Sequence, residues 1–302
     1  MPDFILATRG SELARVQARL VRAGLESAWP ELTVREEIVR TTGDKRQEEE
    51  LTTLGGSGVF TKELETAVLE GRAHAAVHSL KDLPVELPAS LLLGAVLRRG
   101  DHGDVLITAH SGGAQGLPSG ARIGTGSPRR AGMMRALRAG VEVVPVRGNV
   151  PTRIDRVAEG KFDAVILAAA GLQRLGLPAD GTFIRHGITL YAVPLPTFLP
   201  APGQGAIAVE IRSDDTATRE LVRVLHDPDT AAAVAAERAV LRALGGGCHV
   251  AMGALGRVSH GKLHLAAVLF DGSDAAPKMA ELGGMREEAE ELGRAGAAAL
   301  LS

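Results

Sequence analysis

Short apolar runs alternate with amphipathic stretches through the first two thirds of the chain. Residues 4–8 predict a strand, and Ser11 is placed to cap a helix that carries Leu13, Val16, Gln17 and Leu20. A second strand is expected at 34–39, a helix at 61–70 and a strand at 75–78. Strands at 105–108, 122–124, 141–146 and 164–167 then bracket helices at 127–139 and 151–159. Such alternation predicts parallel sheets covered on both faces, because each crossover lays a helix on the sheet. Residues 41–58 are polar and end in Gly55-Gly56-Ser57-Gly58, the pattern of a mobile loop.

Beyond 216 the pattern changes. Helices are expected at 216–225 and 228–244, the second opened by Asp227 as cap and Pro228 in the first turn. Gly245-Gly246-Gly247 follows, then strands at 251–258 and 262–270, a polar turn at 271–274 and a helix near 285–300. Segregated strands and helices predict a small, separate α+β domain. Pro194, Pro196, Pro200 and Pro202 mark an extended connector. The expected division is residues 1–98 with 200–215, residues 99–199, and residues 216–302.

Composition narrows the function classes. The chain has 302 residues, 45% hydrophobic and 23% charged, which excludes a disordered protein. A net charge of −2 gives no basic field for nucleic acid or anionic lipid. No apolar run approaches the roughly 20 residues that span a bilayer. Met1-Pro2-Asp3-Phe4 lacks the basic start and apolar stretch of a signal peptide, so a cytoplasmic protein is expected. A single cysteine, Cys248, allows neither an intramolecular disulfide nor a multi-thiolate metal site. Only six of the 34 basic residues are lysine, leaving 28 arginines.

The placement of those arginines carries more than their number. Thr8-Arg9-Gly10-Ser11, Gly124-Thr125-Gly126-Ser127-Pro128-Arg129-Arg130 and Val146-Arg147-Gly148-Asn149-Val150-Pro151-Thr152-Arg153 each join a strand end to a helix start. Open amides and a helix dipole suit an anion there, and a guanidinium grips a carboxylate with two parallel bonds. A well-capped helix with solvated arginines accounts for any one of these turns; three together point to a polyanionic ligand beyond the strand ends. No phosphate-loop lysine motif accompanies them. Both arginine turns are expected to be exposed, so that Arg129→Leu or Arg147→Leu leaves stability within about 1 kcal/mol. His78-Ser79-Leu80-Lys81-Asp82 leaves a strand toward the same cleft, where Asp82 among cations can stabilise a developing positive charge. His78 reads as structural. Cys248, after three glycines, reads as an accessible thiol: a nucleophile or a covalent attachment point.

Eight motifs in order carry a resemblance. To those above are added Phe60-Thr61-Lys62-Glu63-Leu64-Glu65, Ala169-Ala170-Gly171-Leu172-Gln173-Arg174-Leu175-Gly176, Pro202-Gly203-Gln204-Gly205-Ala206 and Gly246-Gly247-Cys248. Together they resemble the porphobilinogen deaminase (hydroxymethylbilane synthase) family from about residue 4 to beyond residue 250. The resemblance implies an α/β fold of two periplasmic-binding-protein-like (type II) domains with mixed, mainly parallel sheets, and a small α+β C-terminal domain. It implies a dipyrromethane cofactor held by a thioether at Cys248, with porphobilinogen as the small-molecule substrate. The corresponding reaction is a transferase reaction of tetrapyrrole (haem) biosynthesis: four units are added, each losing ammonia, and linear hydroxymethylbilane is released. Asp82 matches the catalytic aspartate. Arg9, Ser11, Lys81, Thr125, Ser127, Arg129, Arg130, Arg147, Arg153 and Arg174 match the positions that bind cofactor and substrate. A monomer needing no metal, nucleotide, nucleic acid or membrane is implied. The chain departs from the family at Thr53 and Ser57, where relatives often carry lysine, and at Gly126, which lacks a side-chain donor. The rival reading is a non-catalytic two-lobed carboxylate-binding protein, which has no use for a cysteine on a third domain.

Overall fold

The computed structural model describes residues 3–39, 61–247, 250–270 and 276–302. The expected loop at 41–58, Cys248 with His249, and the turn at 271–274 lie outside the described residues.

The first sheet contains β1 (Phe4–Arg9), β2 (Val34–Val39), β3 (Ala75–Ser79) and β4 (Leu91–Val96), and is completed by β11 (Ile207–Arg212) in the order β2-β1-β3-β11-β4. The second holds β5 (Asp104–Thr108), β6 (Arg122–Gly124), β7 (Glu142–Val144), β8 (Ala164–Ala168), β9 (Gly181–Arg185) and β10 (Ile188–Pro194), ordered β7-β6-β8-β5-β10-β9. Neither is wholly parallel. β1, β2 and β3 run together, as do β6, β7 and β8, whereas β11 is antiparallel to β3 and β4, and β5 to β8 and β10. The antiparallel strands β5 and β11 are the ones that receive the chain as it passes between sheets.

Helices cover both faces of each sheet, as the apolar pattern requires. α1 (Glu12–Ala28), capped by the Ser11 hydroxyl, buries Ala14, Ala18, Val21 and Leu25 at helical spacing against Val77, Val209 and Ile211. α2 (Lys62–Leu69) covers the opposite face through Leu64, Ala67 and Val68. α3 (Pro128–Leu137), α4 (Val150–Ala158) and α5 (Ala169–Arg174) sit on the second sheet. α6 (Thr216–Val222), expected with the C-terminal domain, instead packs on the first sheet. Val222 is fully buried with Leu25 and Ile211, and the Trp29 indole N–H donates to the Leu221 carbonyl at 3.1 Å. Its apolar face finds its complement there.

The last unit sets α7 (Pro228–Ala243) and α8 (Ala289–Leu301) against an antiparallel sheet of β12 (Met252–Ser259), β13 (Lys262–Leu269) and β14 (Lys278–Met285). Among the described residues no helix is long and apolar enough to cross a membrane.

Two segments cross between the sheets, around 97–103 and 195–206, and they bond to each other: Leu97 N–H to Ile207 O at 3.0 Å and Gly100 N–H to Gly205 O at 3.1 Å. Glu237, fully buried on α7, ties this crossing to the third unit. One oxygen accepts from Arg99 at 2.5 Å and from the Gly256 N–H at 2.8 Å; the other accepts from Arg99 at 3.1 Å and the Gly203 N–H at 2.7 Å. Four donors converge on one carboxylate, and an amide can accept only at its single oxygen. Glu237→Gln should therefore cost about 3–5 kcal/mol, the loss expected when a buried ion pair is broken. Chemical denaturation read by circular dichroism checks it, and a loss below 1 kcal/mol counts against the clamp.

Candidate active site

The arginine-bearing turns lie at the carboxyl ends of the parallel strands: Arg9 closing β1 with Ser11 just beyond it, Lys81 and Asp82 after β3, Thr125 to Arg130 after β6, Arg147 after β7, and Arg174 at the end of α5, the helix that follows β8. Ligands of open α/β sheets bind in this region, where helix N-termini and loop amides converge. The two sheets approach each other there. At Gly171 on α5, Leu13 of α1 and Val150 of α4 come close enough that a methyl there would touch both, at 3.7 and 3.8 Å.

The local caps form as the sequence demands. The Ser127 hydroxyl accepts from the Arg130 N–H at 3.4 Å, and the Thr125 hydroxyl accepts from the Ser127 N–H at 3.1 Å. Asn149 caps α4 through the Thr152 N–H at 3.0 Å.

Arg129 and Arg130 depart from expectation. Both are buried rather than exposed. The cause is Asp104, a fully buried carboxylate at the start of β5. One of its oxygens accepts from Arg129 Nη1 at 2.6 Å; the other accepts from Arg130 Nη2 at 2.6 Å and Nε at 3.0 Å. Burial alone would push the Asp104 carboxyl up, but Arg130 and then Arg129 reverse this and hold it well below the usual carboxylate range. The guanidiniums also donate to the Leu199 carbonyl at 2.6 Å and the Ile166 carbonyl at 2.8 Å. Much of their hydrogen-bonding capacity is committed inside the protein.

Gln204 joins this pair to the opposite wall. Its side-chain N–H groups donate to Asp104 at 3.0 Å and the His102 carbonyl at 2.8 Å, while its oxygen accepts from Lys81 Nζ at 3.2 Å. Burial and the adjoining Arg130 push the Lys81 ammonium down to about 8, against the pull of Asp82. Burial, then Arg130, likewise lowers the Arg153 guanidinium, again opposed by Asp82. Lys81, Asp82, Arg130 and Arg153 thus share one electrostatic space, although they come from different sheets. Arg153 donates to the Gly148 carbonyl at 2.8 Å and Arg174 to the Gly205 carbonyl at 2.6 Å. Asp82 and Arg147 are exposed; Arg9, Lys81, Arg153 and Arg174 are half-buried. Cys248 lies outside the described residues.

His78 is structural in its surroundings, 3.0 Å from Glu210 with both side chains buried. Residue-type reasoning missed Asp104, Gln204, Arg99 and Glu237. The available signals were a carboxylate opening the apolar strand Asp104-Val105-Leu106-Ile107 and a glutamine between two glycines in Gly203-Gln204-Gly205.

This division of the arginines has a measurable consequence. Arg129→Leu strands part of a buried carboxylate and should cost about 3–5 kcal/mol. Exposed Arg147→Leu should stay within about 0.5 kcal/mol of the parent. Parallel urea titrations of the two variants check this, and equal midpoints would contradict it.

Comparison with known proteins accords with this arrangement. Residues 4–220 match the family model described as Porphobilinogen deaminase, dipyromethane cofactor binding domain, and residues 231–302 match Porphobilinogen deaminase, C-terminal domain. The porphobilinogen deaminase of Syntrophobacter fumaroxidans is 45% identical over 291 residues, covering 96% of this chain and 91% of that protein. That of Xanthomonas euvesicatoria pv. vesicatoria is 45% identical over 294 residues, covering 97% and 94%. That of Desulforudis audaxviator is 43% identical over 301 residues, covering 99% and 94%. With two family models spanning almost the whole chain and relatives matched nearly end to end, the chain belongs to the porphobilinogen deaminase family.

Proposed function

We propose that this chain is a transferase that condenses four porphobilinogen units head to tail on a dipyrromethane primer attached to Cys248, and releases hydroxymethylbilane. Each addition forms one carbon–carbon bond and breaks two others, the aminomethyl carbon–nitrogen bond of the incoming unit and the carbon–hydrogen bond at the receiving pyrrole carbon, whose proton balances the ammonia released. Water then cleaves the tetrapyrrole from the primer and supplies the hydroxyl of the product. The observation that carries the reading is the shared cleft of Asp82, Lys81, Arg130 and Arg153, one exposed carboxylate among cations from both sheets.

The donor set fits a pyrrole polycarboxylate. Each pyrrole bears an acetate and a propionate, and Arg9, Lys81 and Arg147 at strand ends, with Arg153 on α4 and Arg174 at the end of α5, offer cations, with Ser11, Thr125 and Ser127 adding hydroxyls. Arg129 and Arg130 support this wall from below: fixed by Asp104, they set its positive potential and the start of α3. When bound, dipyrromethane supplies the terminal pyrrole carbon that the next unit joins. Lys81 and the arginines hold the carboxylates so that the reacting carbons meet without a further search, the entropic share of catalysis. Capture of the electron-poor methylene puts positive charge on pyrrole nitrogen. Asp82 accepts from that N–H and stabilises the charge, and because its turn is fixed beforehand little reorganisation is required.

Two measurements test the reading. Incubated with porphobilinogen, the protein should release ammonia and a product that cyclises to a porphyrinogen, which added oxidant turns into a coloured porphyrin; Asp82→Asn should slow this about 10²-fold or more while the fold persists. Intact mass should exceed the chain mass by two porphobilinogen units less two ammonias, with the increment on the peptide holding Cys248. An unmodified Cys248 in active enzyme, or parental turnover in Asp82→Asn, would overturn it.

Lys81 makes the reading pH-sensitive. Below about pH 8 it is an ammonium that attracts a carboxylate, and above that it is neutral. KM for porphobilinogen should therefore rise as pH passes upward through about 8, and steady-state kinetics of Lys81→Met should lack that step.

A further inference from the structure

The turn carrying Asp82 is held from the third unit. Leu80 and Leu83, on either side of Lys81-Asp82, are buried in one cluster with Val234 of α7. Arg238, one turn further along α7, is itself buried and sends its guanidinium to the backbone: Nη1 donates to the Leu83 carbonyl at 3.3 Å and Nη2 to the Pro84 carbonyl at 2.6 Å. On the other side the Leu80 N–H donates to the Ala206 carbonyl at 3.0 Å, and the turn closes with Leu83 N–H on Leu80 O at 3.1 Å. Asp82 is therefore an exposed residue on a backbone pinned at both ends. The neighbour of Arg238, Glu237, fastens the Gly203 N–H and Arg99 at the interdomain crossing. The C-terminal end of the same helix meets the same stretch: a methyl on Gly246 would lie 3.2 Å from Val85.

A guanidinium buried to bond two successive carbonyls is costly for a merely structural purpose. Burial and the nearby Arg242 push Arg238 down to about 10, so it holds its charge at neutral pH but has been partly desolvated to reach this position. The fork geometry matches two adjacent carbonyl oxygens, which a lysine cannot reproduce.

We infer that Arg238 is a positioning residue for Asp82: α7 sets the place of the reactive carboxylate through the Leu83 and Pro84 carbonyls, so that the cysteine-bearing unit also takes part in aligning the site. This rests on the proposed role of Asp82. A misplacement of about 1 Å at a reacting centre can cost on the order of 10²-fold in rate, which gives such a tether leverage without touching substrate.

The test is a kinetic cycle on the holoenzyme with porphobilinogen. Arg238→Met should lower kcat about tenfold or more with KM within about twofold, because the carboxylate-gripping cations are untouched. Arg238→Lys, with the charge kept and one carbonyl within reach, should fall between the parent and Arg238→Met. In the Asp82→Asn background, Arg238→Met should lower kcat no further, since the group it positions is already gone. A merely structural arginine would lower stability equally in both backgrounds and leave the kcat losses additive. If Arg238→Met does not fold, Arg238→Lys carries the same comparison. Additive losses, or parental kcat in the Arg238 variants beside a slow Asp82→Asn, overturn the inference alone; parental kcat in Asp82→Asn overturns the role of Asp82 beneath it.

Discussion

Asp104 is a carboxylate taken fully out of water at the point where the chain enters its second sheet, and much of the cleft is arranged around satisfying it. Two guanidiniums and the Gln204 amide supply the hydrogen bonds that replace its hydration. A buried charge is tolerated only when fully paired, so α3 must begin where Arg129 and Arg130 can reach β5. The same requirement fixes the crossing segment that carries Gln204. From there the constraint spreads in both directions. Gln204 receives Lys81 at its side chain and Arg99 at its backbone oxygen, 2.8 Å away, and Arg99 ends on Glu237. Carboxylates and their donors thus run from one sheet through the interdomain crossing into the third unit.

The abundance of arginine acquires meaning in this frame. Arg99, Arg129, Arg130 and Arg238 bond inward, to carboxylates or to backbone carbonyls. Arg147 is exposed, while Arg153 and Arg174 line the crevice half-buried. Lysine would serve the inward positions poorly, because a compact ammonium lacks the planar fork that lets Arg99 meet both oxygens of Glu237, or Arg238 two successive carbonyls, in a fixed geometry. The cleft is therefore cationic at its surface, and beneath it Arg129 and Arg130 share the single carboxylate of Asp104, a buried group that keeps one net positive charge. That suits a ligand carrying several carboxylates.

Two glycines show how closely the crossing is packed against the Lys81-Asp82 turn. Gly203 takes φ +74°, and a methyl there would lie 2.3 Å from the Leu80 side chain. Gly205, at φ +90°, would place one 2.7 Å from the Gly100 carbonyl. Only glycine meets both the conformation and the clearance. The sequence Pro202-Gly203-Gln204-Gly205 is thus a packing surface for the Lys81-Asp82 turn and for the 97–103 crossing at the same time.

The elements with a strong local code were legible in the sequence. Strand–helix alternation, the caps at Ser11, Ser127 and Asp227, and proline in the first turn of α3 and α7 are decided by neighbours a few residues apart. The strand-end motifs were legible for the same reason, as was the likeness that eight ordered motifs carried. Elements whose code is non-local were not read. β11 pairs with β3 and β4 from more than a hundred residues away, and the β9–β10 hairpin exposes Ile184 and Ile188, so its apolar pattern marks no core. α6 went to the first sheet because its partner surface, Leu25 and Ile211, lies far away in sequence. Whether an arginine is buried on a carboxylate or exposed is likewise invisible locally: Arg129 and Arg147 stand in similar turns, yet Arg129 is buried on Asp104 at 2.6 Å and Arg147 is exposed. Sequence determined which residues stand at the strand ends; the tertiary structure decided which of them are buried on Asp104 and which reach the surface, because burial belongs to the neighbours that folding brings.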